Sequence, residues 1–420
     1  MEVTVMENSV PIYAGAPFVI LLLLIAIMPL ALPKFWDKNR NKAMIAAIVS
    51  LPILLLYFLI INSPQELMLT LKDYFSFIVL LGSLFIISGG ILLTGDLKAT
   101  PATNTRLLFI GAVLANFIGT TGASMLLIRP MLRTNSERKI TNHIPVFFIF
   151  AVSNIGGCLT PLGDPPLFLG YLKGVPFTWT LTLFPVWVVT LGLVLAIFYF
   201  WDLYCYSKET PAAIKKDIQK AVPIGISGKI NILFLIGVIL AVSFRTPTPY
   251  REMIMALMTV LSLKFTREEF RKKNKFSYHP IIEVAVLFIG IFITVVPLLV
   301  LLKTRGAELG ITQPWQFFWW TGGLSSFLDN APTYLTFFTL AESVTRAAGN
   351  VDPVTIAGVH VDLLRAISCG AVFMGAMTYI GNGPNFMVKS IAEEMKIKIP
   401  HFFGYMVYSI LILIPIFIVV

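Results

Sequence analysis

Two aspartates in this chain stand in sequence that is otherwise apolar. Asp164 closes the run Gly156-Gly157-Cys158-Leu159-Thr160-Pro161-Leu162-Gly163-Asp164-Pro165, and Asp329 lies within Leu324-Ser325-Ser326-Phe327-Leu328-Asp329-Asn330-Ala331-Pro332-Thr333. A carboxylate at the centre of a membrane helix costs about 3 kcal/mol on insertion scales, so one that persists there points to a proton, a cation or a partner. Plain helix capping is the competing explanation, because Asp followed by Pro is the pattern of an N-cap before proline at the first helical position. Asn382 takes the same place in Thr378-Tyr379-Ile380-Gly381-Asn382-Gly383-Pro384-Asn385. A helix N-terminus favours an anion, so a cation at Asp164 would also need carbonyls near Thr160 and Pro161. The hydroxyls of Gly119-Thr120-Thr121-Gly122-Ala123-Ser124 could replace an ion's hydration shell, or could serve only as small residues in close helix packing.

The elements that hold these residues are membrane helices. The chain has 420 residues, 57% of them hydrophobic and 13% charged, against about 25% charged in a soluble domain. Its mean hydropathy is +0.83. Residues 11–32, 43–61, 176–201, 281–302 and 401–420 each approach the roughly 20 apolar residues that cross a bilayer. The net charge of +10 does not indicate nucleic acid, since the basic residues cluster in short loops between apolar runs. Cys158, Cys205 and Cys369 have no metal-ligand spacing and form no disulfide framework. The acidic start Met1-Glu2-Val3 lacks a positive signal region, so 11–32 reads as a retained helix.

Loops 33–42, 94–106, 129–143, 202–229, 264–280 and 389–398 hold 24 of the 32 Lys and Arg residues. Basic loops stay cytoplasmic. All six share one side only if 106–132 and 316–346 enter and leave the membrane on the same face, as re-entrant hairpins. Both termini then face outside. Leu114-Ala115-Asn116-Phe117 matches Leu324-Ser325-Ser326-Phe327 at an offset of 210, Gly82 matches Gly290 at 208, and 157–166 matches 375–384 at 218. These matches predict an all-α polytopic protein of two inverted repeats, 10–201 and 229–420, joined by a polar linker at 202–228. Each repeat has three spans, a hairpin, a broken helix and a final span. Glycine and proline clusters at membrane depth are tolerated where they are buried or line a cavity, and inverted repeats with interrupted helices are a secondary-transporter design. The first two spans of each half, about 11–62 and 229–265, are the expected scaffold and dimer contact. Glu283 reads as an interfacial helix-start carboxylate and His143 as a solvated loop histidine.

At the two motifs around Asp164 and Asp329 the chain resembles the ion transporter superfamily, nearest to NhaD-type sodium/proton antiporters, arsenite permeases and CitM-like citrate transporters. The resemblance spans nearly the whole chain and implies an elevator-type fold with scaffold and transport domains, usually dimeric. By position it also implies a cation and proton site at Asn154, Thr160, Asp164, Asp329, Asn330, Thr333, Thr378 and Asn382. Thr120, Thr121, Ser124 and Asn385 would be secondary contacts. The first tip lacks the asparagine with which dicarboxylate carriers of the wider fold read their substrate.

The leading expectation is therefore a sodium/proton antiporter of the inner membrane, with sodium at Asp164 and Asp329 and no cofactor beyond Na+ and H+. The alternative is a sodium- or proton-coupled carrier of citrate, a dicarboxylate or an oxyanion such as arsenite. Arg129 and Lys389 are the nearest basic residues, at cytoplasmic helix ends. The expected partners are the lipid bilayer, a small cation or carboxylate, and a second copy of the chain. A hydrolase is disfavoured because no His-Glu-x-x-His or Gly-x-Ser-x-Gly occurs.

Overall fold

The computed structural model describes residues 10–61, 64–349 and 354–420. The acidic start at residues 1–3 and the end of the range 11–62 lie outside them. The chain is almost wholly helical. Helices α1 (Ala16–Ala31), α2 (Asn39–Leu55, continued to Ile60 by a π turn) and α3 (Gln65–Ser88) open it. Apolar side chains on the outer face of α1, among them Val19, Ile20, Leu23 and Ile27, stay exposed at roughly half their surface. Such a face is stable in hydrocarbon and costly in water.

Six described helices are long and apolar enough to cross a membrane, and the bent pair His279–Thr294 and Val296–Leu309 (42° between them) makes a seventh. The protein is a multi-pass, all-α membrane protein. Its second half differs from expectation: α9 (Ile230–Ser243) and α10 (Tyr250–Phe265) have 14 and 16 residues, shorter than the length that spans a bilayer upright.

Helix α4 (Pro101–Thr134) is a hairpin. Gly119 breaks it with φ 77° and ψ 153°, a left-handed conformation that only glycine adopts without strain. Its arms return to the same end, where Asn104 and Asn135 exchange amide hydrogen bonds of 2.9 Å. After α5 (His143–Ala151), with all nine residues buried, the chain loosens into a 3-10 turn at Ile155–Leu159 and an extended Thr160, then restarts as α6 (Pro165–Leu172). The final span of this half is Phe177–Ser207, whose α-helical part is α7 (Phe184–Ser207).

The second half runs in the same order. After α11 (Glu268–Lys273), α12 (His279–Thr294) and α13 (Val296–Arg305), helices α14 (Pro314–Ser325) and α15 (Asn330–Ala347) form a second hairpin, with Phe317 and Phe337 packed edge-to-face between its arms. Helix α16 (Val361–Met374) stops at a 3-10 turn and restarts as α17 (Gly383–Glu394), and α18 (Phe402–Val419) closes the chain.

The six basic loops meet at one end. Strand β1 (Leu92–Asp96) pairs antiparallel with β2 (Val222–Ser227), Lys220 bridges Glu137 at 2.7 Å, Glu394 bonds both Arg129 and Lys275, and His279 reaches the Asp37 carbonyl at 3.3 Å. The linker is consequently no free tether. Helix α7 continues to Ser207, α8 (Pro211–Lys220) follows, and Asp217 accepts the Ala99 N–H at 3.0 Å.

Two single-residue readings change. His143 is buried rather than solvated, with Nε2 2.8 Å from Asp202 Oδ1 and Arg138 Nη2 2.6 Å from the same oxygen. Glu283 lies within α12 and pairs at 2.6 Å with Lys42, whose side chain is only 2% exposed.

Candidate transport site

The two helix breaks meet, with Asn382 of the second donating to Asp164 of the first. Each break is fastened to the neighbouring hairpin tip by a threonine. Thr160 donates its hydroxyl to the Asn116 carbonyl, and Thr378 donates to the Ser326 carbonyl. Donors and acceptors are separated by 218 and 210 positions, the offsets of the sequence matches. Each threonine oxygen then accepts a backbone N–H two residues on, from Leu162 and Ile380, both at 3.2 Å. Gly163 N–H and Gly381 N–H turn inward in the same way, toward the Thr160 carbonyl and the Thr378 hydroxyl. A Cβ on Gly163 would lie 2.2 Å from the Gly157 carbonyl oxygen and one on Gly381 2.7 Å from that of Gly375, so neither turn admits a side chain.

Asp164 occupies the N-cap position of α6 in extended backbone, yet its carboxylate makes no capping hydrogen bond. The group is instead turned across the molecule. Oδ1 accepts from Thr120 Oγ1 at 2.8 Å and Asn382 Nδ2 at 3.1 Å, and Oδ2 accepts from Asn330 Nδ2 at 2.6 Å. Those donors come from the first tip, the second break and the second tip, so one carboxylate ties together all four elements. Asp164 is 1% exposed. The donors are neutral: among the described residues no Lys or Arg pairs with Asp164 or Asp329. Arg129 and Lys389 are held by Glu394 and Glu393.

A second polar layer orients the donors. Asn382 Nδ2 also reaches the Ser153 carbonyl and Asn154 Oδ1, each at 3.1 Å. Asn154 donates to Asn385 Oδ1 at 2.7 Å, and Asn385 donates to the carbonyls of Gly375 and Thr378. Ser124 and Ser153 share a hydrogen bond of 2.8 Å. Asn330 Oδ1 is buried with no hydrogen-bond partner. Among the described residues it is a buried acceptor at the cluster whose hydrogen-bonding capacity is unused.

Of the sequence-predicted residues, Asp164, Asn330, Asn382, Asn154, Asn385, Thr120 and Ser124 converge. Thr160 and Thr378 serve as fasteners to the tips and do not touch the carboxylate. Thr333 is spent inside its own helix, donating to the Asp329 carbonyl at 2.9 Å. Thr121 is half-buried beside the cluster. Asp329 sits at the N-cap of α15, half-buried, where Oδ1 accepts the Ala331 N–H at 3.1 Å. Ser153, Asn116 and Ser326 complete the site without having been singled out as site residues. The last two do so through backbone carbonyls, and their place in the two sequence segments that match at an offset of 210 was the available signal.

A family model described as "putative citrate transport" matches residues 7–420. A search of curated proteins returned no match. With the model covering nearly the full length, the chain belongs to this citrate transport family of the ion transporter superfamily.

Proposed function

We propose that the protein is a secondary transporter of a citrate-class carboxylate, with a sodium ion or proton coupled at Asp164. The observation that carries this reading is the position of Asp164 at the meeting point of three helix N-termini, those of α6, α15 and α17. A helix N-terminus is the positive end of the helix dipole and favours an anion. A carboxylate fixed among them opposes that anion until a cation or proton neutralises it, which makes anion binding depend on the coupling ion. Membership in the citrate transport family supports the same substrate class.

The arrangement we infer is two inverted repeats working as an elevator in a dimer of the inner membrane, basic loops inside. The matched threonine fasteners and the meeting of all six basic loops support it. Hairpin 101–134 then opens to the cytoplasm and 314–347 to the outside. Cysteine labelling of both ends of 101–134 from one face is the expected outcome, and labelling from opposite faces would remove the inverted arrangement.

Sodium/proton antiport is a second reading, favoured by the lack of any ion pair at Asp164 among the described residues. It asks two acids to work together, and Asp329 is engaged in capping its own helix. Reconstituted protein separates the two. Uptake of labelled citrate that depends on an imposed sodium or proton gradient supports the carboxylate carrier. Sodium-driven dequenching of a pH dye in the absence of citrate, with no citrate uptake, supports the antiporter.

A further inference from the structure

We propose that the segment between the two halves, α8 with β2, is an interfacial element that lies on an anionic lipid surface. Three observations meet there. Strand β2 pairs through one edge with β1, yet its alternate residues Val222, Ile224 and Ile226 remain 54%, 47% and 45% exposed, and Ile218 of α8 adds a fourth apolar side chain at 50%. Exposed apolar side chains grouped in this way on a segment outside the spans call for a covering surface.

The second observation is charge. Lys208, Lys215, Lys216 and Lys229 flank the apolar group, and none of them pairs with a carboxylate among the described residues. Three of the acids nearby are already engaged: Asp217 with the Ala99 N–H, Glu137 with Lys220 and Ser136, and Glu209 with the N–H groups of Lys139 and Ile140. Apolar side chains bordered by lysines that form no ion pair fit anionic headgroups over acyl chains, and each lysine near such a surface strengthens binding about fivefold.

The third is continuity. Helix α7 ends beside the segment with Phe200, Leu203 and Tyr204 exposed at 68%, 43% and 60%, and α9 begins after it with Ile230 and Leu233 exposed. The segment thus leaves one lipid-facing helix end and returns to another. Lipid is the occupant that meets both its apolar and its basic side chains without leaving the membrane plane.

The test uses the full chain carrying Ile224→Cys, labelled with an environment-sensitive nitrobenzoxadiazole probe, in nanodiscs of phosphatidylcholine with or without phosphatidylglycerol. The three native cysteines are buried and serve as the unlabelled control. In anionic discs the expected result is blue-shifted emission, quenching by doxyl-labelled lipid and protection from aqueous iodide. Adding Lys215→Glu with Lys216→Glu should reverse all three while the protein stays monodisperse. Iodide quenching that is equal in both lipids and unaffected by the lysine changes overturns the proposal. Protection that persists in lipid-free detergent and follows the dimer fraction assigns the face to a second copy of the chain instead, and also overturns it.

Discussion

The two carboxylates that open half-helices, Asp164 and Asp329, occupy the same kind of position and do opposite things. Asp329 bends back to cap its own helix and stays half-buried. Asp164 leaves its helix uncapped and accepts three hydrogen bonds from other elements, while Asn382, at the N-cap of the other restarted helix, supplies one of the donors. Two carboxylates at 164 and 382 would repel in a site with no cation. One acid facing an amide gives complementary donors and acceptors. Two similar helix breaks thus carry different charges.

The sharpest way to break this comparison is Asp164→Asn. The amide offers one acceptor oxygen and turns an NH2 toward a donor, Asn330 or Asn382. Gradient-driven uptake is expected to fall to background, with loss of one buried hydrogen bond costing about 1–3 kcal/mol. Flux assays on protein confirmed as inserted and monodisperse check it. Asp164→Asn that keeps most of its flux would reduce the residue to a packing role. Next comes Asn382→Ala, which removes one donor to Asp164 and the partner of Asn154. A stability loss of about 1–3 kcal/mol and a weakened dependence of uptake on the coupling ion are expected, read from thermal unfolding in detergent and ion titration of the initial rate.

Thr160→Val and Thr378→Val probe what the halves share. Each leaves a tip carbonyl unpaired, for roughly 1–2 kcal/mol. The loss at 378 should be the larger, because its oxygen also accepts the Gly381 N–H. The smallest effect is expected of Asp329→Asn, since Asn caps as well as Asp: a stability change of a few tenths of a kcal/mol, with carboxylate uptake retained. Abolished transport in that variant, with folding intact, would put both acids in the mechanism and favour antiport.

Much of this plan was legible in the sequence, and the reason is local. Glycine and proline at membrane depth mark broken helices wherever they occur, so both breaks and the Gly119 tip could be read from short motifs. The rotamer of an acid beside them could not. Asp164 before Pro165 and Asp329 ahead of Pro332 present similar cap signals, and what separates them is a donor 166 or 218 positions away. His143 was misread for the same reason, since its partner Asp202 lies 59 positions on. Strands β1 and β2 were missed because their partners lie about 130 residues apart.

The degree of wetting of the ion pairs separates welds from catches. Arg138 and Asp202, 3% and 0% exposed, join the first hairpin's base to the last span of its half. Separating them would strand charges in a dry interior at several kcal/mol each, so in the proposed elevator these elements would travel as one piece. Lys173–Asp73 and Lys275–Glu394 have side chains between 25% and 63% exposed. Water can take over each charge as it parts, at a cost of about 1 kcal/mol or less. Lys173 and Glu394 follow the two breaks, one in each half, while Asp73 and Lys275 belong to the third span and to the loop before α12. Under the elevator proposed above, these wet contacts are the ones that part at least cost as the Asp164 site moves.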